Sequence, residues 1–378
     1  MEKNDDLNLT EMKLLDYIGK CPELTNKELA HLLELKNPPY VSTLKRLLHE
    51  KEYFIGPYYQ TDYGKIFKNR VRKAIAILLF EQSYGFMVSL LKNIGCFSYI
   101  YPIEERFFKR IMISIFDSDT EAVKNLFDFL KKEGIIFHYE LYIQDHQTYV
   151  IPPVFLRDSE EASFVPSLDN LLDETDIPDF SFGYFEDLQL SIREQELITY
   201  FEQGRSVLTD IMEQEKAKEN FYTYAEWKDA KAFLIERNIL QPVCDIFPLS
   251  YWKCSHFFLL VRTPACLTTK KMLFNFGKDS RLYKKIFLWT SYHTGRMYGV
   301  IYCISHPEFT IKLLNQLDRY NLIEDEQFFV LRKTISLWGG QSISMEHYDP
   351  EHQTLYFPYE DYLEKMKMVL EELPCPTL

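Results

Sequence analysis

Asp145-His146-Gln147-Thr148-Tyr149-Val150-Ile151-Pro152 and Glu351-His352-Gln353-Thr354-Leu355-Tyr356-Phe357-Pro358 read as two versions of one phrase. The residues ahead of them also correspond in order. Glu11-Met12-Lys13-Leu14-Leu15-Asp16-Tyr17-Ile18 answers Glu194-Gln195-Glu196-Leu197-Ile198-Thr199-Tyr200-Phe201, and the run Arg106 to Phe116 answers Arg296 to Ile304. The pattern predicts two diverged copies of a unit of roughly 150 residues, each with its own core, rather than a solenoid of short repeats. A fused pair can build within one chain what a symmetric dimer builds from two.

Each copy opens with helical signals. Leu9, Met12, Leu15 and Ile18 repeat at the helical period over 9–19. Thr25-Asn26-Lys27-Glu28 is a capping box opening a short helix over 26–33, and Asn37-Pro38-Pro39 starts a third over about 40–51. That third helix buries Val41, Leu44, Leu47 and Leu48 and turns Tyr40, Ser42, Thr43, Lys45, Arg46 and His49 outward. Tyr53 to Tyr59 reads as a hairpin wing, completing a winged helix-turn-helix over 1–72. Residues 73–155 then follow the order strand, helix, strand, strand, helix, strand of a ferredoxin-like sandwich. Its uncovered apolar sheet face is expected to pack on a second sheet.

Residues 156–190 form an acidic connection, expected to lie extended along the surface. The pattern then restarts: a degenerate winged helix-like unit over 191–254, a second ferredoxin-like unit over 255–345, and an extension over 346–378 with a terminal helix. The fold class expected is α+β, a tandem repeat with the two sheets face to face as an intrachain pseudo-dimer.

The formal charge of −13 argues at first against nucleic acid. Its distribution weakens that argument. Asp158, Glu160, Glu161, Asp169, Asp173, Glu174, Asp176, Asp179, Glu186 and Asp187 face one base, Arg157, in the connection, whereas residues 1–73 are slightly basic. Local charge decides partner type. The run Lys65, Lys68, Arg70, Arg72, Lys73 beside the wing suits phosphates, although such cations also serve simply to solvate a strand entry. The 7 cysteines show no CxxC spacing, and no apolar stretch or leader-like start appears, so a reduced cytoplasmic protein is expected.

The run Leu24-Thr25-Asn26-Lys27-Glu28-Leu29-Ala30-His31-Leu32-Leu33, then Val41-Ser42-Thr43-Leu44-Lys45-Arg46-Leu47, then Phe54-Ile55-Gly56-Pro57-Tyr58-Tyr59, resembles the Lrp/AsnC (feast/famine) family of transcription regulators. The resemblance implies a sandwich domain of the RAM/ACT type, homodimers or higher assemblies, and two winged helices on paired half-sites of double-stranded DNA. It implies DNA contacts from Lys27, Tyr40, Ser42, Thr43, Lys45, Arg46 and His49, backed by Lys65, Lys68 and Arg70. The family's effector turn carries a TG pair followed by an acid. Thr294-Gly295 keeps the pair but Arg296 follows, so a small-molecule effector at Thr294, Gly295 and Arg296 departs from the pattern. The second copy's helices carry Asp210, Glu213 and Glu215, which repel phosphates, so its winged helix is expected to be a relic or a protein contact.

The function expected is therefore a sequence-specific DNA-binding regulator with no catalytic residue, metal or cofactor, and no enzymatic activity. No P-loop, GxGxxG, nucleophile elbow or HExxH appears, and the histidines do not cluster at ligand spacing. His146 and His352 recur in the repeat, most simply as hydrogen-bonding groups at a strand end. The aromatic stripes Phe107, Phe108, Tyr139, Tyr142 and Phe257, Phe258, Phe287, Trp289 read as sheet packing. Two alternatives remain. One is a protein-interaction scaffold. The other is a sirohaem decarboxylase-like enzyme, a group similar in its winged-helix-plus-sandwich halves, with His146, His293, Arg296 and His352 available to hold a tetrapyrrole.

Overall fold

A computed structural model describes residues 7–104, 109–185, 189–320, 323–332, 343 and 345–371. Three helices come first: α1 (Leu9–Lys20), α2 (Asn26–Leu32) and α3 (Pro38–Glu50). Asn8 with Glu11, and Thr25 with Glu28, form reciprocal capping boxes that give backbone donors at the starts of α1 and α2 their acceptors. Asn37 makes no side-chain cap, and Pro38 and Pro39 set the first turn of α3 instead. Val41, Leu44 and Leu48 close a small core with Leu14, Leu15, Ile18 and Leu29.

The stretch expected as a hairpin wing is one strand, β1 (Phe54–Thr61). It pairs antiparallel with Leu240–Ile246 of the other half, from Phe54↔Ile246 to Thr61↔Leu240. The Gly56-Pro57 pair that suggested a turn makes a register shift between Ile55 and Tyr58. Pro57 has no N–H for the ladder, and Gly56 sits at φ +124° with Val243 O against the space of a side chain. Gly-Pro here bends a strand without reversing it.

After a 3-10 turn at Tyr63–Lys65 come β2 (Arg72–Phe80), α4 (Tyr84–Leu91), β3 (Phe97–Ile103), β4 (Lys109–Asp117), α5 (Thr120–Lys132) and β5 (His138–Gln144). Next are β6 (Tyr149–Ile151) and a small pair, β7 (Leu156–Arg157) with β8 (Glu160–Glu161). The second half supplies α6 (Ile192–Glu202), α7 (Leu208–Ala217), α8 (Tyr224–Glu236), β9 (Leu240–Ile246) and a 3-10 turn at Tyr251–Lys253. It continues with β10 (Ser255–Arg262), α9 (Cys266–Asn275), β11 (Tyr283–Ser291), β12 (Met297–Ser305), α10 (Pro307–Leu317) and β13 (Asp325–Val330). A short pair, β14 (Tyr348–Asp349) with β15 (Thr354–Leu355), precedes α11 (Tyr359–Glu371).

The large antiparallel sheet runs β13-β10-β12-β11-β5-β2-β4-β3, with β6 also on β11. In the first half the strand order is β5-β2-β4-β3, and in the second it is β13-β10-β12-β11. The halves join edge to edge at β5 and β11, through Trp289↔Gln144 to Ser291↔Tyr142. The far edges also meet: Ile103 bridges Leu331, Glu104 N donates to Val330 O at 2.8 Å, and Arg332 N donates to Pro102 O at 3.0 Å. The sheet thus curls until its ends touch, where two separate sheets laid face to face were expected. Strand alternation decides the two sides. Met112 of β4 faces an inner core with Ile75, Phe258, Trp289 and Tyr302, while Ile111, Ile113 and Ile115 face the helix layer of α4 and α5.

The acidic connection is not simply a surface strand. Leu168, Leu171 and Phe180 are buried on the helix layer of the second half, and Asn275 Nδ2 donates to Asp173 O at 2.8 Å. Conversely Tyr348, Leu355, Tyr362 and Met366 are buried on the helix layer of the first half. Each half's continuation crosses to cover the other. No helix among the described residues is long and apolar enough to cross a membrane.

Candidate functional site

Tyr58 and Tyr59 follow the Gly56-Pro57 bend, and with them the two-stranded ribbon of β1 and β9 reaches over the inner face of the sheet. Between the two lies a cavity of about 260 Å³. Its walls come from both halves: Tyr58, Tyr63, Lys73, Tyr99, Tyr101 and Gln144 on one side, and Glu202, Phe258, Lys285, Phe287 and Tyr302 on the other.

Lys73 is on the rung between Phe116 of β4 and Gln144 of β5. Its ammonium lies 4.9 Å from the Phe116 ring centre and donates to Ser98 Oγ at 3.3 Å. Among the described residues no carboxylate forms an ion pair with it. Burial pushes this ammonium below its ordinary pKa, the charge of Glu202 pulls it back, and Lys285 opposes it. Lys285 is differently placed. Its Nζ is 3.1 Å from Asp245 Oδ2, and the phenols of Tyr58 and Tyr283 both donate to Asp245 Oδ1. One lysine therefore arrives neutralised and the other does not.

Aromatic faces fill the space between. Tyr99 stacks on Tyr101 at 4.6 Å and 22°, and Tyr101 lies parallel to Tyr302 of the other half at 6.4 Å and 5°. Burial pushes the hydroxyls of Tyr58, Tyr99, Tyr101 and Tyr302 up, so they stay protonated as donors at neutral pH. Flat rings, neutral donors and one unneutralised cation suit a planar anionic ligand.

The residues expected from sequence to contact DNA or an effector lie elsewhere, although Lys73 of the basic run enters the cavity. Lys27, Tyr40, Ser42, Thr43, Arg46 and His49 are exposed on α2 and α3. Lys45 is half-buried: burial lowers its pKa, and its neighbour is Cys244 of β9. Arg46 approaches Glu50 at 3.8 Å. In the basic run, Lys65 donates to Arg237 O at 3.0 Å, Arg70 pairs with Asp145 at 3.1 Å, and Arg72 bonds Asp145 and Thr120. Lys68 is exposed, its backbone N–H tied to Gln353 O. Thr294, Gly295 and Arg296 form the exposed turn between β11 and β12, away from the cavity.

The repeated histidines are not brought together. His146 bridges Ser181 with its ring 5.5 Å from Phe180, whereas exposed His352 pairs with Asp349 at 2.6 Å. Among the described residues no group of three or more His, Cys, Asp or Glu side chains could hold a metal ion. Phe258 and Phe287, read as packing, line the cavity, while Phe107 and Phe108 fall outside the described residues. Sequence reasoning missed Asp245, Lys285 and the role of Tyr58. A lysine within an otherwise apolar strand, as in Tyr283-Lys284-Lys285-Ile286-Phe287, was the signal available.

No family model matches the chain, and no curated protein matches it. Solved structures do. The siroheme decarboxylase NirDL matches with 12% identity over 96% of this chain and 98% of that one, at a TM-score of 0.47. The same protein in co-complex with an iron-uroporphyrin III analogue matches with 13% identity over 97% and 100%, at 0.46. LrpC of B. subtilis matches with 18% identity over 36% of this chain and 94% of that one, at 0.29. Regulators of the Lrp type are thus structural neighbours over about a third of the chain. The expectation of a protein without enzymatic activity is corrected here: the matches that span nearly the whole chain are to an enzyme.

Proposed function

We propose that this chain is a fused pair of like halves whose working site is the seam cavity, and that the cavity takes a flat carboxylate-bearing ligand. The observation that carries this is Lys73, a desolvated ammonium on the cavity wall with Ser98 as its hydrogen-bond acceptor and, among the described residues, no carboxylate in an ion pair with it. A desolvated cation whose nearest counter-charge, Glu202, is not in an ion pair with it is costly, and a bound anion relieves that cost. The division 1–72, 73–155, 156–190, 191–254, 255–345 and 346–378 is retained as part of the proposal. It is supported by three helices, a ribbon strand, a 3-10 turn and like strand orders in each half.

The test is titration of the protein with two planar carboxylates, sirohaem and the smaller naphthoic acid. At least one is expected to bind, and Lys73→Met to weaken that binding about tenfold or more, equivalent to about 1.4 kcal/mol. Failure of both probes, or equal binding by Lys73→Met, overturns the reading. Mass analysis of recovered sirohaem for lost carboxyl groups decides whether binding leads to decarboxylation.

A second reading, sequence-specific binding of double-stranded DNA as a transcription regulator, is favoured by one observation. Tyr40, Ser42, Thr43, Arg46 and His49 share an exposed face of α3. Because Lys45 is turned toward β9, Arg46→Ala alone is expected to abolish retardation of genomic DNA fragments. Unchanged retardation by that variant removes α3 as a reader. Under this reading Thr294, Gly295 and Arg296 remain the effector turn, and a homodimer addresses paired half-sites.

A further inference from the structure

The like strand orders of the two halves set up a position-by-position correspondence. Lys73 pairs with Phe116 and His256 with Ile304, each one rung in from the end of its β2–β4 or β10–β12 ladder, so His256 occupies the place of Lys73. Tyr99 faces Ser114 as Lys285 faces Tyr302. Tyr63 and Tyr251 each begin the 3-10 turn after a ribbon strand. A pseudo-two-fold pair of halves therefore has a second position for the cavity, on the His256 side.

That position is filled. The Tyr251 ring lies 4.5 Å from the His256 ring, and His256 bonds both Tyr302 Oη at 3.1 Å and Tyr251 O at 3.3 Å. His256 is 1% exposed. Where Glu202 ends α6 at the cavity, Gly19 stands near the end of α1, and its face is occupied: a side chain there would meet Pro152 Cβ at 2.8 Å. Pro152 follows β6, which is laid on β11 by pairs from Tyr149↔Ile286 to Ile151↔Lys284. Its counterpart in the repeat, Pro358, follows β15, which pairs with β14. Two unrelated pieces of chain thus close the second position, a ring from within and a crossing segment from outside.

We infer that the chain holds one planar carboxylate ligand, on the Lys73 side, and that the equivalent site on the His256 side is sealed by Tyr251 and Pro152. The inference rests on the cavity reading above. Its consequence is that the two halves have different tasks: both present rings, Tyr99 and Tyr101 from the first and Phe258, Phe287 and Tyr302 from the second, but the first alone presents the cation and the second the neutralised lysine.

The experiment is a stoichiometric titration of the full chain with sirohaem, followed by absorbance, and with naphthoic acid, followed by calorimetry. The expected end point is one equivalent per chain, bound about tenfold or more weakly in Lys73→Met and at unchanged affinity in His256→Gln. A Tyr251→Ala/Pro152→Gly/His256→Lys variant that melts cooperatively is expected to gain a second equivalent. Two equivalents for the unmodified chain overturn the sealed site while leaving the cavity reading standing. An equivalent bound at unchanged affinity in Lys73→Met and lost in His256→Gln also overturns the sealed site, as does a folded triple variant that stays at one. Binding of neither probe overturns the cavity reading and this inference together.

Discussion

Tyr58 and Tyr283, on strands of opposite halves, donate to the same oxygen of the Asp245 carboxylate. With Lys285 on the other oxygen at 3.1 Å, this carboxylate ties the ribbon to the sheet. The arrangement also explains why two lysines in one cavity are not equivalent. Asp245→Asn is expected to destabilise the fold by about 3 kcal/mol, because Lys285 is left half-buried and unpaired. Adding Lys285→Met should recover part of that loss. Denaturant unfolding of the single and double variants checks this, and additive losses would contradict it.

Glu215 is a buried carboxylate, held by Tyr200 Oη at 2.6 Å, Asn220 Nδ2 at 2.7 Å and Lys218 Nζ at 2.7 Å. Burial alone would raise its pKa, but these donors outweigh burial and hold it below the ordinary 4.5. A depressed carboxylate contributes stability above its unfolded pKa and loses it as pH falls through the folded one. Glu215→Gln should therefore lower the melting temperature at neutral pH, with the gap closing below about pH 4.5. A gap that widens on acidification would contradict the assignment.

Lys284 caps the end of α9 by donating to the carbonyls of Leu273 and Phe274 at 2.8 Å and Phe276 at 2.5 Å. Burial pushes its ammonium down to about 7, while three acceptors at the negative end of a helix dipole favour the charged form. Lys284→Met strands those carbonyls, and each buried unsatisfied group costs about 1–3 kcal/mol. A loss of about 3 kcal/mol or more is expected in denaturant unfolding. A loss under about 1 kcal/mol would show that water replaces the ammonium.

Neither half should stand alone. β1 needs β9, β5 needs β11, and the helix layer of the first half is covered by Tyr348, Tyr362 and Met366 from the far end of the chain. Residues 7–185 expressed alone are expected to lack a cooperative melting transition. A sharp transition would contradict the shared core.

The helices and the order of strands were legible because their signals are local. The capping box at Thr25, the helical period of Leu9, Met12, Leu15 and Ile18 and the apolar runs of β2 and β12 each announce an element within about ten residues. What failed was pairing at a distance. Nothing near Gly56-Pro57 says that its partner strand lies at Leu240–Ile246, so a bend read as a turn. The basic run misled for the same reason: Arg70 finds Asp145 and Lys65 finds Arg237 O only after folding. Lys73 entered the cavity for a reason the sequence did carry. It stands second in β2, at the head of its apolar run, and there a cation is either paired or placed for a ligand.

A structure of the full chain grown with sirohaem or naphthoic acid tests the central claim most directly. The account predicts a single bound molecule in the seam, its carboxylate within hydrogen-bond distance of Lys73 Nζ and its flat face against Tyr101 or Tyr302. A molecule seated on the Thr294–Arg296 turn, or on the His256 side of the seam, with Lys73 unoccupied, would contradict it.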